Sequence, residues 1–374
     1  MAGIYIHIPF CKQKCTYCDF HFSTTFEVYR KEMIDAICRE ITSRSKYLQN
    51  KEVRTIYFGG GTPSILDETE LELVLNTISN VNSVSPTAEI SLEANPDDIS
   101  SSSLEMWKKH GVNRLSIGLQ SFKQTDLDWM NRAHNVDESL SCVALAQKHG
   151  FQNITVDLIY GLPKLSLEEW TDHVNRVMDM GVPHLSAYCL TIEEKTVLSN
   201  WVNKGKISTP NEDTQSDQFV KLLEIIKANG FEQYEISNFS KPNFESQHNS
   251  NYWKGEWYLG VGPSAHSYNG ISRRWNVSNN RSYMKGVQSE ENYSETEQLS
   301  SKDQFNEQIL IGLRTKYGVN LQNLKQLHQF SKNFQLTLDG FKSKKWIIEE
   351  TNVLTLTEEG KLRADYIASE LFLD

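Results

Sequence analysis

Between residues 3 and 229 the chain switches repeatedly between two hydrophobic periodicities, and this alternation limits its fold more than any other feature. The stretches GIYIHIP (3–9) and VRTIYF (53–58), and residues 87–93, 113–119, 153–159 and 184–190, read as β-strands. Residues 27–49, 67–80, 101–110, 137–149, 167–179 and 214–229 carry apolar residues at helical spacing, for example Leu71, Val74, Leu75 and Ile78. Six strands alternating with helices predict a parallel sheet with helices outside it and right-handed connections. Periodicity alone leaves open whether the sheet is flat or curled. Cys11, Gly60, Glu93, Gln120 and Asp157 all fall at C-terminal strand ends. A barrel gathers those ends on one rim, whereas a flat sheet concentrates its site at one crevice. Polar ends on five strands favour the curled form.

The 374 residues leave room for a smaller second unit. Three stretches are expected: the barrel over 1–238, an extended and irregular segment over 239–300 whose polar run 287–301 is a linker or exposed loop, and a compact unit over 301–374. In that last unit two helices, one carrying Phe305, Ile309, Leu310 and Leu313 and one carrying Leu321, Leu324 and Leu327, a hairpin (346–356) and a final helix (358–371) follow the order of a winged helix. It carries ten basic and ten acidic residues, so it is expected to bind a partner or pack, not to read DNA. The whole chain has a formal charge of −10, which disfavours nucleic acid. No run of 18 apolar residues occurs, and MAGIYIHIPF lacks the basic and apolar regions of a secretory signal, so a cytoplasmic location is expected.

Three of the six cysteines crowd into Cys11-Lys-Gln-Lys-Cys15-Thr-Tyr-Cys18. In a chain without a secretory signal, such clustering points to metal or redox chemistry. Iron–sulfur clusters usually take four thiolates, so three would leave one iron open to a small ligand. Zinc is the rival, with His7 or His21 as a fourth ligand. Gly59, Gly60 and Gly61 close the second strand and allow a ligand to approach backbone where a Cβ would block it.

With YIHIPFC (5–11), YFGGGTPS (57–64), EANPDD (93–98), RLSIGLQSF (114–122) and DLIYGLP (157–163), the cysteine motif makes the chain resemble the radical S-adenosylmethionine (SAM) proteins, in particular the coproporphyrinogen III dehydrogenase group. The resemblance runs from about residue 3 to the C-terminus. It implies a partial (β/α)6 TIM-like barrel with a [4Fe–4S] cluster on Cys11, Cys15 and Cys18. It further implies SAM contacts from Tyr5 and Tyr17, from Gly60, Gly61 and Thr62 at the amino-acid end, from Glu93, Asp157 and Gln120 at the ribose or ammonium, and from Arg132 at the carboxylate.

Two departures separate the chain from the oxidative decarboxylase of that group. Phe20 stands where the decarboxylase has a further cysteine, and Cys11 comes too early for its N-terminal extension. The heme chaperones of the group share both departures and a His-Asn-x-x-Tyr-Trp motif, here His248-Asn249-Ser250-Asn251-Tyr252-Trp253. The resemblance therefore implies a chaperone that binds heme, the cluster and SAM and delivers heme to acceptor proteins, respiratory and membrane-associated ones among them, with a homodimer as one assembly. The alternatives are a coproporphyrinogen dehydrogenase or other radical SAM tetrapyrrole enzyme, and a zinc-stabilised binding protein. His248 is expected to contribute to the heme site near the open rim, with Tyr252 and Trp253 shaping it and Arg273 and Arg274 available to the propionates.

Overall fold

The computed structural model describes residues 1–209 and 211–373. Its first part alternates as the periodicities predict: β1 (Ala2–Ile8), α1 (Arg30–Ser43), β2 (Val53–Gly60), α2 (Glu68–Val81), β3 (Val84–Ala94), α3 (Ser101–Lys109), β4 (Arg114–Gln120), α4 (Gln124–Met130), α5 (Val136–Lys148), β5 (Asn153–Tyr160), α6 (Leu167–Asp179), β6 (His184–Cys189), α7 (Val197–Asn203) and α8 (Glu212–Ala228). The short helices α4 and α7 are additions to the expected set. Capping boxes at Asp67/Glu70, Ser100/Ser103, Asn135/Glu138 and Ser166/Glu169 fix where α2, α3, α5 and α6 begin. Each is worth about 1 kcal/mol.

Strands β1 to β6 pair in sequence order and in parallel. Their two faces differ in kind. Ile4, Ile6, Ile8, Ile56, Phe58, Leu92, Leu115, Ile117, Val156 and Leu158 belong to the large apolar core with residues of the surrounding helices. The other face is polar and, by register, runs through Tyr5, Tyr57 and Ser91, then Glu93, Ser116 and Thr155. A single cavity is lined by residues after β1 and at the ends of β2 to β6, so the sheet is curled and the polar face lines its lumen.

The segment after residue 239 departs from the irregular structure expected of it. After β7 (Glu232–Glu235) and β8 (Asn238–Ser240) come α9 (Gln247–Trp253), β9 (Trp257–Val261), β10 (His266–Tyr268), β11 (Ser272–Asn276), α10 (Asn280–Ser289) and β12 (Ser294–Gln298). β9 pairs in parallel with β1, and β10 to β12 extend the sheet antiparallel from there. β8 and β7 add antiparallel strands beyond β6. The outermost two, β7 and β12, are four and five residues long and polar, as suits exposed edges. The expected linker 287–301 thus holds an edge strand, Ser-Glu-Thr-Glu-Gln, paired along its length with β11.

The C-terminal unit runs α11 (Ser301–Leu313), β13 (Val319–Asn320), α12 (Leu321–Leu327), α13 (Lys332–Ser343), β14 (Ile347–Glu350), β15 (Val353–Leu356), α14 (Glu358–Lys361) and α15 (Ala364–Glu370), a winged-helix order with its own core around Phe305, Ile309, Leu338 and Ile367. The expected single last helix is broken at Leu362 and Arg363. The unit docks on β7: Ile236 N–H donates to the Arg314 carbonyl, and Arg314 pairs with buried Glu235 at 3.2 Å. Among the described residues no helix is long and apolar enough to cross a membrane.

Candidate functional site

The cysteine loop leaves β1 at its C-terminal end and is fastened on several sides. Cys11 N–H donates to the Ser23 carbonyl, Ser23 N–H to Pro9, and Thr16 N–H to Met130 at the end of α4. Asn131 caps α4 in the left-handed region (φ 57°) and sends its Nδ2 to the Lys14 carbonyl at 2.7 Å. α4 therefore serves as a mount for the loop, which explains why a short helix is inserted between β4 and α5. Lys12 reaches Asp97 at 2.9 Å and also pairs with Asp98, which accepts from Ser64 at 2.6 Å.

The loop closes one wall of a cavity of about 430 Å³, a size usual for small-molecule sites. Cys11, Cys15, Cys18, Tyr17, Gly60, Gly61, Thr62, Glu93, Gln120, Arg132 and Asp157 all line it. Thr62 Oγ1 donates to Cys11 Sγ at 3.3 Å and Arg132 Nη1 to Cys15 Sγ at 3.6 Å. Burial pushes the Cys11 thiol up to about 11 and the Cys18 thiol up to about 12. Holding both as thiolates at neutral pH therefore takes a cation's charge. Three thiols beside two outside donors suit an iron–sulfur cluster. Among the described residues, no three His, Cys, Asp or Glu side chains converge as closely as a single metal ion needs. The two histidines considered for zinc are engaged elsewhere. His7 bonds the His21 carbonyl through Nε2 at 2.8 Å and Tyr5 through Nδ1 at 3.2 Å, and His21 bonds Asn280 at 2.6 Å.

The far wall is built for a polar ligand. Glu93 Oε1 accepts from Tyr57 at 2.8 Å and Oε2 from the Gly60 amide at 3.1 Å. Burial, with Asp157 adding to it, lifts the Glu93 carboxyl to about 7. Burial lifts Asp157 to about 6 against the hydrogen bonds of Ser186 and Ser116. A cationic ligand group would lower both. Arg132 Nη2 is held by Asn95 Oδ1 at 2.7 Å and the Gly118 carbonyl at 2.9 Å, while its Nε is buried without a partner. Gln120 turns at φ 66°, a position L-residues seldom take, at the end of β4. Gly61 is required by close approach, since a Cβ there would sit 2.5 Å from the Phe10 carbonyl oxygen.

Two expected contacts stand apart from this group. Tyr5 lies lower in the lumen, stacked on Tyr57 with ring centroids 6.1 Å apart, and touches the site through His7 and Tyr57. His248 lies at the opposite end of the lumen. Its Nδ1 meets Thr55 Oγ1 at 2.8 Å, its Nε2 meets Tyr252 OH at 2.8 Å, and its ring abuts Gly3 near the start of β1. Strand rise puts that level about 17 Å from Ile8, where the cysteine loop begins. The expected place near the open rim is corrected accordingly: α9 precedes β9, which runs parallel to β1, so α9 must sit where those strands begin. The ring is 2% exposed, and burial lowers its pKa to about 3.

Sequence reasoning missed Asn95, Ser116, Tyr188 and Cys189 among the cavity residues. Asn95 follows the end of β3 inside EANPDD and Ser116 lies within β4 inside RLSIGLQSF, so the motifs that hold them could have found them. Tyr188 and Cys189 end β6, where no motif marks them.

A family model described as the Radical SAM superfamily matches residues 5–177. Over 370 residues the chain is 34% identical to "Heme chaperone HemW" of Bacillus subtilis, covering 97% of each chain. It is 36% identical over 265 residues to the protein of that name in Escherichia coli, covering 71% of this chain and 69% of the other. Among solved structures, coproporphyrinogen III oxidase HemN of Escherichia coli, described as a radical SAM enzyme, matches with a TM-score of 0.85 at 21% identity, over 99% of this chain and 90% of the other. At that identity the likeness establishes the fold.

Proposed function

We propose that this chain, which belongs to the HemW heme-chaperone family of radical SAM proteins, binds heme and passes it to acceptor proteins, and that its rim cavity holds a [4Fe–4S] cluster on Cys11, Cys15 and Cys18 with SAM beside it. The observation that supports the cofactor site is the pairing of Thr62 and Arg132 with two of the three cysteines across a cavity of about 430 Å³. Such a cluster supplies one-electron chemistry toward the sulfonium of SAM, and the protein supplies position. Gly60 and Gly61 leave room for the ligand's amino-acid end, Arg132 faces its carboxylate through the unpartnered Nε, and Glu93 and Asp157 accept from its cationic or hydroxyl groups. Gln120 and Tyr17 complete the walls.

The carrier reading rests on full-length likeness to the heme chaperones. Phe20 agrees with it: the side chain lines the cavity mouth and is 67% exposed, so no thiol is offered where the decarboxylase has one. The fold of the decarboxylase keeps a radical tetrapyrrole enzyme as the second reading. One anaerobically reconstituted sample separates the two. Iron content, SAM binding, hemin binding and coproporphyrinogen turnover are measured together. A carrier gives close to four irons, SAM and hemin binding and no turnover. Turnover of coproporphyrinogen would overturn the carrier reading in favour of the enzyme, and failure to bind hemin would remove it outright. Acceptors that are membrane-associated respiratory proteins, a homodimer and a cytoplasmic location belong to the same proposal.

A further inference from the structure

Asn95 directly follows β3, at the head of the short turn Pro96–Asp98. An Asn in such a place ordinarily bends its side chain back onto the backbone of the turn. Here it makes no such cap, and it lines the wall of the cofactor cavity instead. There it joins the two groups that reach the cysteines. Its Oδ1 accepts from Arg132 Nη2 at 2.7 Å, and its Nδ2 donates to Thr62 Oγ1 at 3.4 Å. Arg132 Nη1 in turn meets Cys15 Sγ at 3.6 Å, and Thr62 Oγ1 meets Cys11 Sγ at 3.3 Å.

Chemistry fixes the direction of each bond. A guanidinium donates and cannot accept, so Arg132 has to meet the amide oxygen of Asn95. The amide NH2 is thereby turned toward Thr62, whose oxygen accepts. A hydroxyl carries one proton, and that of Thr62 is left for Cys11 Sγ. The Gly118 carbonyl takes the other Nη2 proton of Arg132 at 2.9 Å, which leaves Nη1 to Cys15. One neutral amide thus aims two donors at two of the three cysteines. An electron added to an iron–sulfur cluster increases the negative charge on its sulfurs. Donors aimed at those sulfurs therefore favour the reduced form and raise the potential.

We propose that Asn95 is a positioning residue that sets the reduction potential of the cluster by directing Thr62 and Arg132 onto Cys11 and Cys15. The proposal rests on the cluster reading above. It adds a residue that, among the described residues, has no hydrogen bond to a cysteine itself. Asp is the informative replacement, since it keeps the shape and exchanges the NH2 for an oxygen. The carboxylate still accepts from Arg132, but it now competes with sulfur for the Thr62 proton.

The test reconstitutes full-length wild type, Asn95→Asp, Thr62→Val, the double variant and Asn95→Ala anaerobically without SAM. Iron per chain is counted, and the EPR of the reduced cluster is followed while the samples are poised with dithionite and viologen mediators. At one ambient potential, Thr62→Val lowers the reduced-to-oxidised ratio roughly tenfold, the size of one hydrogen bond to a charged acceptor. For a one-electron couple that is a midpoint about 59 mV lower. Asn95→Asp lowers the ratio further, through the lost Thr62 bond and the added charge. In the Thr62→Val background only the charge remains to act, so the effect of Asn95→Asp is roughly tenfold smaller there. Asn95→Ala adds no charge and lowers the ratio several-fold, and it carries the test alone if Asn95→Asp takes up no iron. Drops that simply add across the cycle, or an unchanged potential in the Asn95 variants that take up iron, overturn the proposal and leave the cluster reading standing. If neither Asn95 variant takes up iron, Asn95 is a support of the loop and the proposal falls. Wild type that takes up no iron removes the cluster reading and the proposal with it.

Discussion

Replacing His248 by Ala separates a structural role from an iron-ligating one. The substitution removes two hydrogen bonds of 2.8 Å, leaving the Tyr252 hydroxyl without its partner and the Thr55 hydroxyl with only the long bond from Asn251 Nδ2 at 3.5 Å. It also removes the ring stacked on Tyr57 at 5.1 Å. Each stranded hydroxyl costs about 1 kcal/mol at the low end of its range, and the lost ring contact about as much again. The expected loss at pH 7 is therefore about 3 kcal/mol, inside the range for truncating a buried side chain. The pH dependence adds a signature that packing alone lacks. Burial holds this ring's pKa at about 3, against about 6.5 in the unfolded chain. Between those values the unfolded chain binds a proton that the folded chain does not. The contribution of the neutral ring is thus complete above pH 6.5 and lost as the pH falls. Going from pH 7 to pH 5 costs the wild type about 2 kcal/mol through this residue, and the Ala variant nothing through it. Guanidinium unfolding of both proteins at the two pH values should show the gap shrinking from about 3 to about 1 kcal/mol. A gap that is absent at pH 7, or that stays constant or widens at pH 5, would refute this account of His248.

Three further outcomes follow from the rim. Changing Cys11, Cys15 and Cys18 to Ala should abolish iron uptake on anaerobic reconstitution, read as iron per chain and as the visible thiolate-to-iron absorption; uptake that persists would place the cluster elsewhere. Tyr57→Phe removes the donor to Glu93, worth about 1.5 kcal/mol for a charged acceptor, so SAM should bind roughly tenfold more weakly at pH 7. Because that hydrogen bond holds the Glu93 pKa down, affinity should recover as the pH is raised to 8.5, measured by calorimetry; loss independent of pH would exclude Glu93 as the route. Gly61→Ala would press a Cβ against the carbonyl oxygens of Phe10 and Ile8. Since these are backbone atoms, the cysteine loop must shift, and iron occupancy should fall while the winged-helix unit keeps its own melting transition.

The barrel was legible because each of its elements carries a long, regular signal. β1 to β6 have one strongly apolar face, and the helices between them have apolar stripes and side-chain caps. The rim was legible because function concentrates at strand ends, where Glu93, Gln120 and Asp157 interrupt apolar runs. What failed was short or polar. β8, β10 and β12 span three to five residues with little alternation, and short strands of that kind are specified by the neighbours they pair with more than by their own pattern. α4 and α7, seven residues each, are likewise too short for a helical period to register.

The misplacement of His248 grew out of one of those weak elements. Without β9, the His-Asn-x-x-Tyr-Trp segment is simply what comes after the last strand, and a barrel's functional residues are expected at its rim. Once Trp257–Val261 is seen to enter the sheet parallel to β1, the helix ahead of it has to lie at the opposite end, because parallel strands all begin on the same side. The chemistry then reads differently. A helix of seven residues with two buried polar side chains, His248 and Ser250, needs partners from the lumen. The lumen supplies Thr55, and Glu89 accepts from the His248 and Gln247 amides. The polar face of the sheet thus has two uses: at its upper end it faces the cofactor cavity, and at its lower end it anchors the segment from which the chain turns into β9.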